Sequence, residues 1–387
     1  MESKNKQAAE PKAKADTKKP KTSTGKTTSK QSKAAKVEEN TPQTETKTTD
    51  GTPKRTQIAE IGKRELIRRL FEGTGFTNTP MSKGCPEKAS LINSQLMLEG
   101  VDFDLVYTPL KHLGYKSALL ALGPIYANCY SPKSLTYQIA LSSRFAAEDI
   151  VDLWTGIIAA AKEHNIKELG LDLKASMTGL SISITAQGEQ DPQTISSVPS
   201  PQGTDLICIT GNIGAAYMGL HVLEREKVAF NRIPASEMAS YKQPDLSKYK
   251  YILSQYLSPE INPKLVDQFK EAAILPAAGY FITNGLAAAV KELCQQHNVG
   301  AKIYLDKIPI ASQTLEMAKE INLDAVTAAL NGGDDYKFLF VIPLALHEKF
   351  HKEFPNVDII GHLCKPQAGA LLVTPEGAEI PLQAQGY

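Results

Sequence analysis

Leu330-Asn331-Gly332-Gly333-Asp334-Asp335-Tyr336-Lys337-Phe338-Leu339-Phe340 sets two glycines and two carboxylates directly before an aromatic and aliphatic strand pattern. Glycine lets the backbone take dihedrals closed to other residues and approach a ligand closely, while adjacent carboxylates suit a hard cation or a polar ligand group. A tight turn with solvated acids ahead of an edge strand leaves the same signature, so the stretch alone keeps both readings open. Outward from it, helical and strand periodicities alternate along the chain, which implies layered α/β or α+β domains.

Gln57 to Glu72 spaces Ile58, Ile61, Leu66, Leu70 and Phe71 as one amphipathic helix that ends at Gly73 and Gly75. A loop follows over Met81 to Ser90, then one or two strands over Leu91 to Asp104 around Glu99-Gly100. His112 to Tyr126 predicts a helix whose far end meets Gly123-Pro124, where a break or restart is expected because interior proline costs about 3 kcal/mol. Ser134 to Ser142 predicts a strand and Ala146 to Asn165 a long helix. Leu180 to Ala186 alternates apolar and hydroxyl residues with the period of a half-buried strand. The proline-bearing stretch Gly188 to Gly203 predicts an interdomain connection. Beyond it, Asp205 to Thr210 enters the turn Thr210-Gly211-Asn212-Ile213-Gly214 and a helix through Glu226, an arrangement that cradles phosphate or simply joins a strand to a helix. Helices over Asn262 to Ala272, Gly285 to His297, Gln313 to Glu320 and Leu344 to Phe354 alternate with short strands to the end.

Residues 1–56 are Lys, Thr, Ser, Ala, Pro and Gln with scarcely a large apolar side chain, a composition that cannot offset the entropy of ordering and predicts a disordered tail. That tail holds 14 Lys and Arg against 7 Asp and Glu, leaving 29 against 35 in the remainder, so a net charge of +1 hides a basic arm on a mildly acidic body. Such an arm is a solubility tail or binds nucleic acid or acidic partners weakly and in a salt-sensitive way. The five cysteines are far apart and odd in number, which fits unpaired thiols in a reducing cytoplasm. No apolar run is long enough to span a membrane.

From Gln57 to Tyr387 the chain resembles thiamine-monophosphate kinases of the aminoimidazole-ribonucleotide-synthetase superfamily. The resemblance rests on Leu98-Glu99-Gly100-Val101-Asp102-Phe103-Asp104, with Asp102 where the family has histidine, and on His112-Leu113-Gly114-Tyr115-Lys116. It continues through Thr210-Gly211-Asn212-Ile213-Gly214-Ala215-Ala216-Tyr217, Asn331-Gly332-Gly333-Asp334-Asp335-Tyr336 and the closing Ala384-Gln385-Gly386-Tyr387. It implies a two-domain α/β (α+β) fold, with residues 57–200 as the N-terminal dimerisation and nucleotide-site domain and 201–387 as the C-terminal α/β domain. Family members are homodimers that move the ATP γ-phosphoryl group to thiamine monophosphate with Mg2+. By resemblance, nucleotide or substrate binding falls to Lys88, Glu99, Asp102, Gly170, Thr210, Gly211, Gly332, Gly333 and Tyr387, and metal to Glu87, Asp172, Asp334 and Asp335.

The family's other carboxylates are replaced. Its G-D-D falls on Pro86-Glu87-Lys88, its T-T-D ends at Gln95, and its helical serine-aspartate pair is Gly123-Pro124. Its T-G-D becomes Thr210-Gly211-Asn212, and its D-I-S-D-G-L becomes Phe281-Ile282-Thr283-Asn284-Gly285-Leu286. Asp172 keeps its carboxylate within Gly170-Leu171-Asp172-Leu173. Magnesium takes oxygen ligands in near-octahedral geometry, and Phe281, Pro124 and Gly123 bring no side-chain oxygen. The expectation is a degenerate member that binds or scaffolds, with Lys88 either supplying positive charge to a small phosphorylated ligand or simply solvated. The alternatives are an active kinase using ATP and Mg2+ with a reduced ligand set, and a heterodimer partner of an active paralogue; a degenerate member needs neither cofactor.

Overall fold

A computed structural model of the chain describes residues 55–76, 89–234, 236, 237, 242 and 244–384. Of the expected tail over 1–56, all but Arg55 and Thr56 lie outside them, as do the loop residues Glu87 and Lys88 and Tyr387. The N-terminal half runs α1 (Ile58–Ile61), α2 (Lys63–Phe71), β1 (Ala89–Leu98), α3 (Leu110–Ala127), β2 (Ser131–Leu141), α4 (Ala147–Glu163), β3 (Glu168–Ala175), β4 (Leu180–Gln190) and α5 (Pro192–Ser196). The C-terminal half opens with β5 (Leu206–Thr210), α6 (Ala215–Asn231), α7 (Lys250–Leu257), α8 (Leu265–Glu271), β6 (Ala278–Ile282), α9 (Leu286–His297) and β7 (Gly300–Tyr304). It closes with α10 (Ser312–Glu320), α11 (Ala325–Asn331), β8 (Lys337–Ile342), α12 (His347–Glu353), β9 (Val357–Cys364), β10 (Ala370–Val373) and β11 (Glu379–Pro381).

Two sheets result, a four-stranded one ordered β1-β4-β2-β3 and a seven-stranded one ordered β11-β10-β7-β9-β5-β8-β6. In the first, β4 is antiparallel to β1 and β2, and β3 is parallel to β2. Helices α3 and α4 cover one of its faces and cross each other at glycines: a Cβ on Gly114 would stand 2.0 Å from Leu153 O, and one on Gly156 1.9 Å from Lys111 O. The other face is open at β1, where Ile92 and Leu96 are 62% and 56% exposed. Both sheets belong to one compact unit, and its largest hydrophobic core takes Ile139 and Ile182 from the first sheet and Phe338 and Phe340 from the second.

Four sequence expectations change. The opening helix is two, because Gly62 takes φ 77 between α1 and α2. Helix α3 runs unbroken through Pro124: the missing N–H falls in its last turn, and Asn128 closes that turn with backbone and side-chain bonds to Pro124 O. Strand β4 continues to Gln190, so the connecting segment starts later than Gly188, where a Cβ would meet Ile125 at 2.3 Å. The pattern after Tyr336 is no edge strand, since β8 lies between β5 and β6 and is buried over Phe338–Ile342. Cys129, Cys208, Cys294 and Cys364 are free thiols, the first two buried. Among the described residues no helix is long and apolar enough to cross a membrane.

Candidate functional site

A cleft opens between β1, the C-terminal end of α3, the turn from β6 into α9, and the loop after α11. Its two lobes, of about 520 and 600 Å3, share Gln95, Leu120, Thr283 and Asn284 in their walls. The loop starts where α11, capped by the Asp324 carboxylate on Thr327 N (2.8 Å), ends at Asn331. Gly332 is required by contact, since a Cβ there would stand 2.4 Å from Ala328 O and 2.6 Å from the Tyr217 side chain. Gly333, Asp334 and Tyr336 all take positive φ (78°, 59° and 53°), a conformation held by Asp334 N donating to Thr283 O (2.7 Å) and Tyr336 N to Ile282 O (3.0 Å). For a buried tyrosine this backbone costs on the order of 1–3 kcal/mol, which the surrounding packing must offset.

The two carboxylates of this loop have opposite surroundings and both are committed to protein groups. Asp334 Oδ2 pairs with Lys116 Nζ at 3.0 Å, and that ammonium, on a buried side chain, sits 3.9 Å from the centroid of the Tyr256 ring. The pair joins two of the motifs singled out in the sequence, His112–Lys116 and Asn331–Tyr336, across the cleft floor. Asp335 is only 3% exposed; its Oδ1 accepts from Gly214 N (2.7 Å) at the start of α6, while its Oδ2 is buried without a protein partner among the described residues. Burial pushes this carboxyl up to about 8, so its neutral form prevails below that pH despite the Gly214 N–H. The same burial lowers the Lys337 amine below its usual value.

The remaining sequence candidates scatter. Asp102 lines the larger lobe, but its Oδ2 accepts from Leu98 N at 2.7 Å and closes the turn after β1. Glu99 bonds Leu180 N (2.8 Å) and pairs with Arg144, which fixes the start of β4. Gly170 and Asp172 lie on β3, at the opposite edge of the sheet from β1 and about 14 Å away at ordinary strand spacing; Asp172 is 3.2 Å from Lys174. Thr210 and Gly211 line a separate cavity beside Lys337, and the Thr210 hydroxyl accepts from Phe338 N. Among the described residues, no three His, Cys, Asp or Glu side chains come together as a metal-ligand set. Of the described donors, Asp334 is paired with an ammonium and Asp335 is buried with one oxygen on a backbone amide, so neither carboxylate stands free for a magnesium ion as the side chains are placed here.

What does converge is four of the positions lacking carboxylates. Gln95, Pro124, Phe281 and Asn284 line the smaller lobe together. The Phe281 ring packs on Gly123, where a Cβ would fall 2.2 Å from a ring carbon, and meets Tyr336 edge-on at 5.3 Å.

No family model matches the chain. In sequence it is 21% identical over 288 residues to the thiamine-monophosphate kinase of Aquifex aeolicus, covering 74% of this chain and 87% of that protein. It is 24% identical over 254 residues to that of Synechococcus elongatus, covering 65% and 72%. Among solved structures, AaThiL complexed with AMPPCP and TMP superposes with TM-score 0.64 at 19% identity, covering 85% of this chain and 98% of that one. The chain is a homologue of the thiamine-monophosphate kinases. The hydrogenase maturation protein HypE of E. coli shares the same aminoimidazole-ribonucleotide-synthetase-like fold, with TM-score 0.60 at 14% identity over 84% and 98% of the two chains.

In this thiamine-monophosphate-kinase-like frame the retained motifs hold elements together, through Glu99 to β4, Lys116 to Asp334 and Asp335 to α6. Sequence reading missed Asn93, Thr283 and Tyr256 as parts of the cleft. Tyr256 carried no signal, since α7 is an eight-residue helix whose periodicity is short. Asn93 had one: a polar amide two residues before Gln95 faces the same side of a strand.

Proposed function

We propose that this thiamine-monophosphate-kinase-like chain does not transfer phosphoryl groups and serves in binding or scaffolding. The observation that carries the reading is the cleft wall, where an amide, a proline, a phenylalanine and a second amide stand together at Gln95, Pro124, Phe281 and Asn284. Phosphoryl transfer depends on cations and donors that neutralise charge on the moving group, and these four side chains supply neither a carboxylate for a metal nor a charge of their own. A coupled ADP-release assay with ATP, thiamine monophosphate and Mg2+ at high protein concentration tests it: the expected rate equals the protein-free control. Mg2+-dependent release that falls in Glu87→Ala would instead establish the competing reading, an active ATP-dependent kinase, which the AMPPCP and TMP complex of AaThiL favours.

The open face of the four-stranded sheet supports self-association. Ile92, Leu96 and Leu98 expose apolar side chains on one face of the edge strand β1, interrupted by Ser94, a surface open to pairing. We assign this face to a homodimer; light scattering should give twice the chain mass, and Leu96→Glu should give the monomer. A chain that stays monomeric at tens of micromolar contradicts the assignment.

A further inference from the structure

We propose that the smaller lobe of the cleft is a metal-independent binding site for a neutral, planar, hydrogen-bonding ligand of the nucleoside class. This rests on the reading of the chain as a member that does not transfer phosphoryl groups. Its volume, about 520 Å3, is within the range of small-molecule sites. One wall is pre-set: Asn93 donates to Ala121 O on α3 (2.9 Å), and its own Oδ1 accepts from Gln95 Nε2 (3.1 Å). That chain of bonds fixes the Gln95 amide and leaves its carbonyl oxygen for a ligand. On the facing wall the Thr283 hydroxyl and the Asn284 amide make no protein hydrogen bond among the described residues. Carboxamides offer a donor and an acceptor side by side, the pattern that matches the edge of a nucleobase. The half-buried Phe281 ring, backed by Gly123, adds an aromatic surface for stacking.

Charge narrows the class further. Among the described residues Glu292 is the one side chain of fixed charge on this lobe, and it accepts from Gln296 Nε2 at 2.7 Å. Among the described residues no Lys or Arg lines it, so they offer a phosphate no counter-charge; Lys88 lies outside them. In the larger lobe Lys227 is already paired with Asp104 at 2.7 Å, and Asp102, Glu224 and Asp334 add negative charge. A nucleoside is therefore favoured over its nucleotide, the reverse of a metal-bridged phosphate site.

The test is calorimetric titration of the full chain with adenosine as the probe, in Mg2+ and in EDTA, with ATP run alongside and the ADP-release assay on the same preparation. Adenosine should bind with an affinity equal within twofold in the two buffers and at least tenfold tighter than ATP. Gln95→Ala and the exposed-site variant Asn284→Ala should each weaken it at least fivefold while circular dichroism stays unchanged. No adenosine binding, ATP binding as tight as adenosine or tighter, or indifference to both variants overturns the inference. If no ADP is released while adenosine fails to bind, this inference alone falls; Mg2+-dependent release overturns the reading beneath it as well.

Discussion

One hydrogen atom at position 123 keeps the Phe281 ring in place. With Cβ distances of 2.2 to 2.4 Å to three ring carbons, Gly123→Ala forces the ring or α3 to move. Overpacking of this kind costs about 1–3 kcal/mol, and urea unfolding should show the cost shrinking in a Phe281→Leu background. Asp335 gives a pH signature of its own. Its folded value, about 8, lies above the unfolded one, so its contribution to stability is complete below pH ~4 and is lost as pH rises toward 8. Asp335→Asn keeps an oxygen for Gly214 N and should flatten that slope, raising stability at pH 8 relative to the parent. His164 acts in the opposite sense: burial pushes it down to about 4, and its Nδ1 meets the Tyr126 hydroxyl at 2.9 Å. Stability it supports above pH ~6.5 is lost as pH falls toward 4, by at most about 3 kcal/mol, and His164→Gln should remove that dependence in acid unfolding curves.

Elements explain which of these features could be read beforehand. Strands and helices with long, strong periodicity, such as α4 and β4, follow their sequences to within a few residues because one buried face dictates the pattern. The interior position of β8 could not be read, since it depends on non-local pairing with β5 and β6 rather than on its own residues. The same limit hid the cleft: Gln95 on β1, Pro124 on α3 and Phe281 on β6 are far apart in the chain and meet only through packing. The motif glycines and carboxylates were legible as a group, but not that Asp335 is 3% exposed and spent on the start of α6. If absent carboxylates on these elements account for the loss of a metal site, restoring them should restore affinity. The triple variant Gln95→Asp, Phe281→Asp and Asn284→Asp should bind Mn2+ at least tenfold tighter than the parent, read by water-proton relaxation with circular dichroism as the check on folding.

In the whole molecule the cleft also acts as a clasp. Lys116 reaches from α3, which covers the first sheet, to Asp334 ahead of β8 in the second, under the Tyr256 ring of α7. Lys116→Met removes the charge and leaves a carboxylate 35% exposed; with solvent softening the loss, about 1–3 kcal/mol of stability is expected from denaturant unfolding. The frame is thus maintained by the residues that mark its kinship, while Gln95, Pro124, Phe281 and Asn284 bring no charge to the smaller lobe of the cleft. That neutrality is tested most directly by titrating the full chain with Mn2+ in the presence of a non-hydrolysable ATP analogue and counting bound metal by electron paramagnetic resonance. Less than a tenth of an ion per chain at 100 μM Mn2+ beyond that held by the nucleotide alone is the predicted result. One or more ions retained per chain, released together with the nucleotide, would contradict the account.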